Sequence, residues 1–187
     1  MDLPTAQTLG ICYGLSEVAL GIFKRSGAPS RETDRSSLRF LWLVILASIA
    51  LAIVAAKTMP QFGSQLLAVG YSLGVLVFVL GLALRWYAIV YLGRFFTVDV
   101  AIAEDHRVVD SGPYRVVRHP SYTGALLGFL GFGICLGNWL SLAVVILPIA
   151  LAFMRRIHVE EAALNAALGE RYAAYARHTK RLVPWVY

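Results

Sequence analysis

Apolar residues gather in five runs along the chain, at 9–23, 40–56, 66–84, 122–136 and 139–154, and the segments between them hold nearly all of the charge. A helix rises ~1.5 Å per residue and needs about 20 residues to cross ~30 Å of hydrocarbon, so the second and third runs nearly suffice alone. The other three are shorter and must draw on their flanks. Only Gly137 and Asn138 separate the last two runs, and one helix through both would overshoot a bilayer. The pattern therefore predicts a tight helical hairpin with extended ends. The expected fold is an all-α integral membrane protein of about five transmembrane helices, with the fourth and fifth forming that hairpin.

Composition agrees with this reading, since 58% of the 187 residues are hydrophobic and 15% charged, well away from the balance of a soluble domain. The opening residues 1–10 lack the basic stretch and cleavage site of a secretory signal, which makes the first run a retained helix. Charge adds an orientation. Of the 17 Lys and Arg, five follow the first run (Lys24, Arg25, Arg31, Arg35, Arg39), five follow the third (Arg85, Arg94, Arg107, Arg115, Arg118), and six follow the fifth (Arg155, Arg156, Arg171, Arg177, Lys180, Arg181). With the N-terminus outside and the C-terminus cytoplasmic, all sixteen share the cytoplasmic face and only Lys57 lies opposite, as the positive-inside tendency requires. In a bacterium the membrane is the inner, or plasma, membrane. The net charge of +6 then faces anionic headgroups, and no nucleic acid is needed to explain it.

No internal repeat, low-complexity tract or separate soluble domain stands out. The chain reads as one membrane domain over 1–187: two N-terminal helices within 1–65, and a core over 66–187 whose polar pocket comes from 85–122 and 155–187. Cys12 and Cys135 read as small buried hydrophobes, because neither has a Cys or His at ligand spacing. No metal is expected. Glu17 lies inside the first run, where an unpaired carboxylate is costly, so it is expected to pair, to snorkel or to face a cavity.

Two polar blocks remain. In "GPYRVVRHPSYTG", a helix is expected to start at His119 and Pro120, since proline suits a first helical turn; its open N–H groups and dipole favour an anionic group nearby. In "RRIHVEE", Arg156 and Glu160 fall at i, i+4 and read most simply as a helical ion pair. The helix continues past them through "GERYAAYARH", with Gly169 as its weak point. The hairpin brings both blocks to one side of the bundle, so they can face each other across a cavity.

The block "LRWYAIVYLGRFFTVDVAIAEDHRVVDSGPYRVVRHPSYTG", followed by the hairpin, "RRIHVEE" and "GERYAAYARHTKRLVPWV", resembles the isoprenylcysteine carboxyl methyltransferase family and its phospholipid methyltransferase relatives. The resemblance runs over about 80–185. It implies an integral membrane methyltransferase that uses S-adenosylmethionine, with S-adenosylhomocysteine as product and without a Rossmann domain. It further implies that the cofactor enters from the cytoplasm and a lipophilic or prenylated acceptor from the bilayer lipids. Carried onto this chain, the cofactor pocket falls on His106, Arg107, Val108, Val109, Tyr114, His119, Pro120, Ser121, Tyr122 and Glu160. Arg156 takes the place of the catalytic, substrate-positioning arginine. Arg118 belongs to the motif without an assigned role.

A carboxylate acceptor is already ionised at neutral pH and needs no base, whereas an amine acceptor must lose a proton, for which His119, Glu161 or water are candidates. Two other readings stay open: a sterol-reductase-like enzyme using a nicotinamide cofactor, and a membrane scaffold without chemistry. The acceptor and the oligomeric state stay open as well.

Overall fold

The computed structural model describes residues 4–23, 32–63, 65, 70–98 and 107–187. These form six helices, α1 (Ala6–Phe23), α2 (Glu32–Thr58), α3 (Tyr71–Leu92), α4 (Pro120–Cys135), α5 (Trp139–Leu168) and α6 (Glu170–His178), with short 3-10 turns at Pro60–Phe62, Gly93–Phe95 and Gly112–Arg115. The described part contains no strand, only two isolated backbone bridges. Helices α1, α2, α3 and α5 are long and apolar enough to cross a membrane, and α4 is apolar but shorter. The chain is an all-helical, multi-pass membrane protein.

The hairpin forms where it was expected, but its arms are unequal. Asn138 caps α5 by accepting the Ser141 N–H at 3.0 Å, and Gly137 takes the positive φ of 65° that lets the chain reverse. α4 has only 16 residues because Pro120 fixes its start and this turn fixes its end. α5 runs for 30 residues, about 45 Å, and carries Arg156 to Glu161 past the end of its apolar stretch. Gly169, with φ of 55°, separates it from α6.

Glycine governs the closest packing. A Cβ at Gly81 would lie 2.4 Å from the Gly128 nitrogen, and one at Gly124 2.5 Å from the Arg85 nitrogen. α3 and α4 thus touch backbone to backbone, which small residues permit between membrane helices. Arg85 on α3 is thereby held against the first turn of α4.

The bundle has two chemically different ends. The Asn138 side chain donates to the Met59 carbonyl at 3.0 Å, so the hairpin turn lies beside Lys57 and the end of α2. Tyr71 donates to the Pro4 carbonyl at 2.5 Å, which places the starts of α1 and α3 together. Arg118, Arg156 and Arg181 lie at the opposite end, near the starts of α2 and α4. The two cysteines part company: Cys135 is buried, as expected, but Cys12 sits on an exposed face of α1.

Candidate active site

At the arginine-rich end, the segment before α4 is shaped from both sides. Gly112 adopts φ of 56°, and a Cβ there would fall 2.4 Å from the Tyr91 ring, so only glycine lets the turn sit on that ring. Tyr91 donates to Ser111 Oγ at 3.0 Å. The buried Tyr114 donates to the Ala88 carbonyl (3.2 Å) and its own carbonyl accepts from Tyr175 of α6 (2.6 Å). Residues 180–182 then close over the helix start: the Arg118 and His119 N–H groups donate to the carbonyls of Lys180 (2.7 Å) and Arg181 (3.0 Å), and Thr123 Oγ1 donates to that of Leu182 (2.8 Å). α4 does start at Pro120 with His119 at its cap. The backbone N–H groups of 118 and 119 are nevertheless satisfied by this strap, not left open for an anion.

Against this helix start lies a chamber of about 850 Å³, its open mouth included. Arg107, Val108, Val109, Tyr114, His119, Ser121, Tyr122, Arg156 and Glu160 line it, so nine of the eleven residues picked out in the sequence converge. Pro120 is buried and shapes the helix start but does not line the chamber. His106 lies outside the described residues. The sequence reading missed Phe95, Phe96, Leu164, Tyr172 and Tyr175. A signal for the last two existed, because "ERYAAYARH" places both tyrosines one helical turn apart on a strongly amphipathic helix.

The two adjacent glutamates have different partners. Glu160 accepts from the Tyr122 hydroxyl at 2.8 Å, with His119 Nδ1 at 4.0 Å, and the His119 ring stacks on Tyr122 at 5.5 Å and 11°. Glu161 points the other way, accepting from Arg118 Nε (2.8 Å), His119 Nε2 (3.2 Å) and Arg181 Nε (2.9 Å). Arg118 extends Nη1 to the carbonyls of Ala176 (3.0 Å) and Thr179, and so caps the end of α6. Its role is to join three elements around the chamber. Glu161 and His119, the candidate bases, are engaged in this network.

The expected ion pair between Arg156 and Glu160 does not form. Arg156 turns to α2 instead and pairs with Asp34, while Glu160 is held by Tyr122. Arg156 lies at the junction with a second cavity of about 670 Å³, mouth included, walled by Leu38, Leu41, Trp42 and Ile45 of α2 and by Tyr13 of α1. Phe96, Thr97, Tyr122 and Arg156 line both spaces. Glu17 also faces this cavity and meets Arg85 through two bonds of 2.6 and 2.7 Å, so it is paired and cavity-lining together.

Burial holds the phenols of the chamber in their neutral form: that of Tyr175 is pushed up to about 12, and those of Tyr114 and Tyr172 higher. The Tyr172 hydroxyl is buried with no hydrogen-bond partner.

Apolar membrane helices closed at one end by a polar, aromatic chamber, with a second, mostly apolar cavity sharing four of its residues, define a multi-pass membrane protein. The chain belongs to the isoprenylcysteine carboxyl methyltransferase (ICMT) family, whose model matches residues 73–166. It is 35% identical over 115 residues to "Protein-S-isoprenylcysteine O-methyltransferase B" of Arabidopsis thaliana, covering 60% of this chain and 58% of that one. It is 37% identical over 109 residues to the Schizosaccharomyces pombe "Protein-S-isoprenylcysteine O-methyltransferase", covering 57% and 46% respectively. The matches thus take in about half of each relative. In fold it is similar to a solved eukaryotic intramembrane Ras methyltransferase ICMT, with a TM-score of 0.72 at 23% identity over 97% of this chain and 65% of that one.

Proposed function

We propose that the protein transfers a methyl group from S-adenosylmethionine to the carboxylate of a lipophilic, membrane-embedded acceptor of the isoprenylcysteine type, at a chamber facing the cytoplasm. The observation that carries this reading is Arg156, buried at the junction of the polar chamber and the apolar cavity and lining both. Family membership and the named relatives support the reaction class.

The chamber suits the cofactor chemically. Aromatic rings at Tyr114, Tyr122 and Phe95 suit an adenine face or a sulfonium. The Glu160 carboxylate accepts from ribose or amino groups, and the unpartnered Tyr172 hydroxyl is available to a ligand. When bound, S-adenosylmethionine supplies an electrophilic methyl on a positively charged sulfur. Arg156 holds and aligns the acceptor carboxylate, so that the protein contributes mainly proximity and orientation. An apolar surrounding does not oppose this chemistry strongly, because the reaction removes two opposite charges.

No base is required for a carboxylate. The engagement of His119 and Glu161 by neighbouring charges favours that acceptor over an amine. The clustering of arginines at the chamber end favours its cytoplasmic orientation. Incubating the purified protein with labelled S-adenosylmethionine and farnesylcysteine, phosphatidylethanolamine or no acceptor tests the reading. Label in the farnesylcysteine ester is expected; label only in the amine lipid, or NADPH binding in place of S-adenosylmethionine, overturns it.

A further inference from the structure

Arg156 is 1% exposed and Asp34 3% exposed, and they bind each other closely. Arg156 Nη1 donates to Asp34 Oδ1, to the Asp34 carbonyl oxygen (3.1 Å) and to Ser37 Oγ (2.7 Å), while Nη2 donates to the Val98 carbonyl (3.0 Å). Ser37 Oγ also donates to the Asp34 carbonyl at 2.9 Å, which ties this turn of α2 into one clamp. The guanidinium is a rigid fork with five N–H donors, so fixing its two terminal nitrogens fixes the direction of the third. Arg156 Nε and Asp34 Oδ2 are buried without any hydrogen-bond partner. The pair therefore keeps unused valence at the place where the two cavities meet.

The proposed reaction gives this arrangement a purpose. An acceptor carboxylate brings a negative charge to Arg156, and methylation removes it, leaving a neutral ester beside a buried cation. An uncompensated charge in such a setting is strongly unfavourable. We propose that Asp34 is the standing counter-ion and positioning residue of Arg156: it holds the guanidinium for the acceptor and keeps it paired once the acceptor has lost its charge. Asp34 thereby limits how strongly the site prefers acid over ester, and so how readily product leaves. This inference rests on the carboxylate reading above and places a residue of α2, outside the matched segment 73–166, in control of the site.

The test is a binding comparison that needs no turnover. Farnesylcysteine and its methyl ester are titrated into wild-type protein, Asp34→Asn and Ser37→Ala in the same detergent. Neutralising Asp34 leaves Arg156 as a bare cation, so the ratio of acid to ester affinity is expected to rise about tenfold or more in Asp34→Asn. Ser37→Ala keeps the charge and is expected to keep the wild-type ratio. Asp34→Ser is the second neutral variant if Asp34→Asn does not fold. A ratio unchanged in a folded neutral variant overturns the inference, because a merely structural role would lower stability without altering the choice between acid and ester. Wild-type protein that binds both molecules but transfers no methyl group overturns the proposed function and leaves the ratio to decide on Asp34; wild-type protein that binds neither overturns both.

Discussion

Arg118 and Glu161 meet at 2.8 Å between the segment that opens α4 and the last third of α5, and both side chains are nine-tenths buried. The same arginine reaches the end of α6 through two backbone carbonyls. Removing it leaves Glu161 short of a partner and the α6 terminus uncapped. Arg118→Ala is expected to destabilise the protein by about 3 kcal/mol, the order for breaking one side of a buried pair. Arg118→Lys is expected to recover only part, since a single ammonium cannot serve the same forked set of acceptors. Thermal unfolding in detergent measures both.

The neighbouring glutamates are expected to separate under mutation. Glu160→Gln should weaken S-adenosylmethionine binding about tenfold or more while the melting temperature stays within a few degrees. Glu161→Gln should do the reverse, because its carboxylate holds two arginines and a histidine and its loss leaves charges unpaired. Calorimetric titration and thermal melts on the two variants decide.

Much of this site was legible before any coordinates. A proline beside a histidine marked the start of α4, Gly169 marked the break before α6, and an asparagine after a glycine marked the hairpin turn, since each is a local backbone requirement. The partner of Arg156 was not legible: Asp34 stands 122 positions earlier, in a helix with no motif, and only tertiary packing brings them together. Arg118 gave no role in the sequence for the same reason, as its acceptors include backbone carbonyls that carry no residue signature. The i, i+4 spacing of Arg156 and Glu160 misled because each finds a stronger partner on another helix, and a surface-type helical pair contributes only a few tenths of a kcal/mol.

Glu17 and Arg85 offer a pairing test inside the bundle. Glu17→Ala leaves Arg85 buried and uncompensated and is expected to cost about 3 kcal/mol or more. Adding Arg85→Met to that variant should return part of the loss, so the double variant is more stable than the sum of the two single changes implies. Equal and additive losses would show that the two side chains do not depend on each other.

Glycine positions on α3 and α4 should respond unequally to alanine. Gly81→Ala and Gly124→Ala force a Cβ to within 2.4 and 2.5 Å of backbone nitrogen, so folded yield in membranes is expected to collapse. Gly128→Ala meets only the Tyr13 ring, at 3.5 Å, and is expected to accumulate nearly as wild type.

Alkali should act through the chamber phenols. Tyr175 is held up to about 12 by burial, and Tyr114 higher, for the same cause, against about 10 in an unfolded chain. The folded protein therefore keeps protons that the unfolded chain releases. Their contribution to stability is complete below pH ~10 and is lost as pH rises from there through ~12. Denaturant midpoints followed across that range should fall, with no drop from this source between pH 7 and 9.

The strap at 180–182 has a temporal meaning. The N–H groups of Arg118 and His119 reach their acceptors only through Lys180 and Arg181, more than sixty positions later in the chain. During synthesis the five apolar helices can enter the bilayer in order, yet Tyr172 and Tyr175 of α6, which line the chamber, and the 180–182 strap over the start of α4 leave the ribosome only after α5. A nascent chain interrupted after α5 thus has the bundle without two of the tyrosines that line its chamber and without the strap that bonds the start of α4.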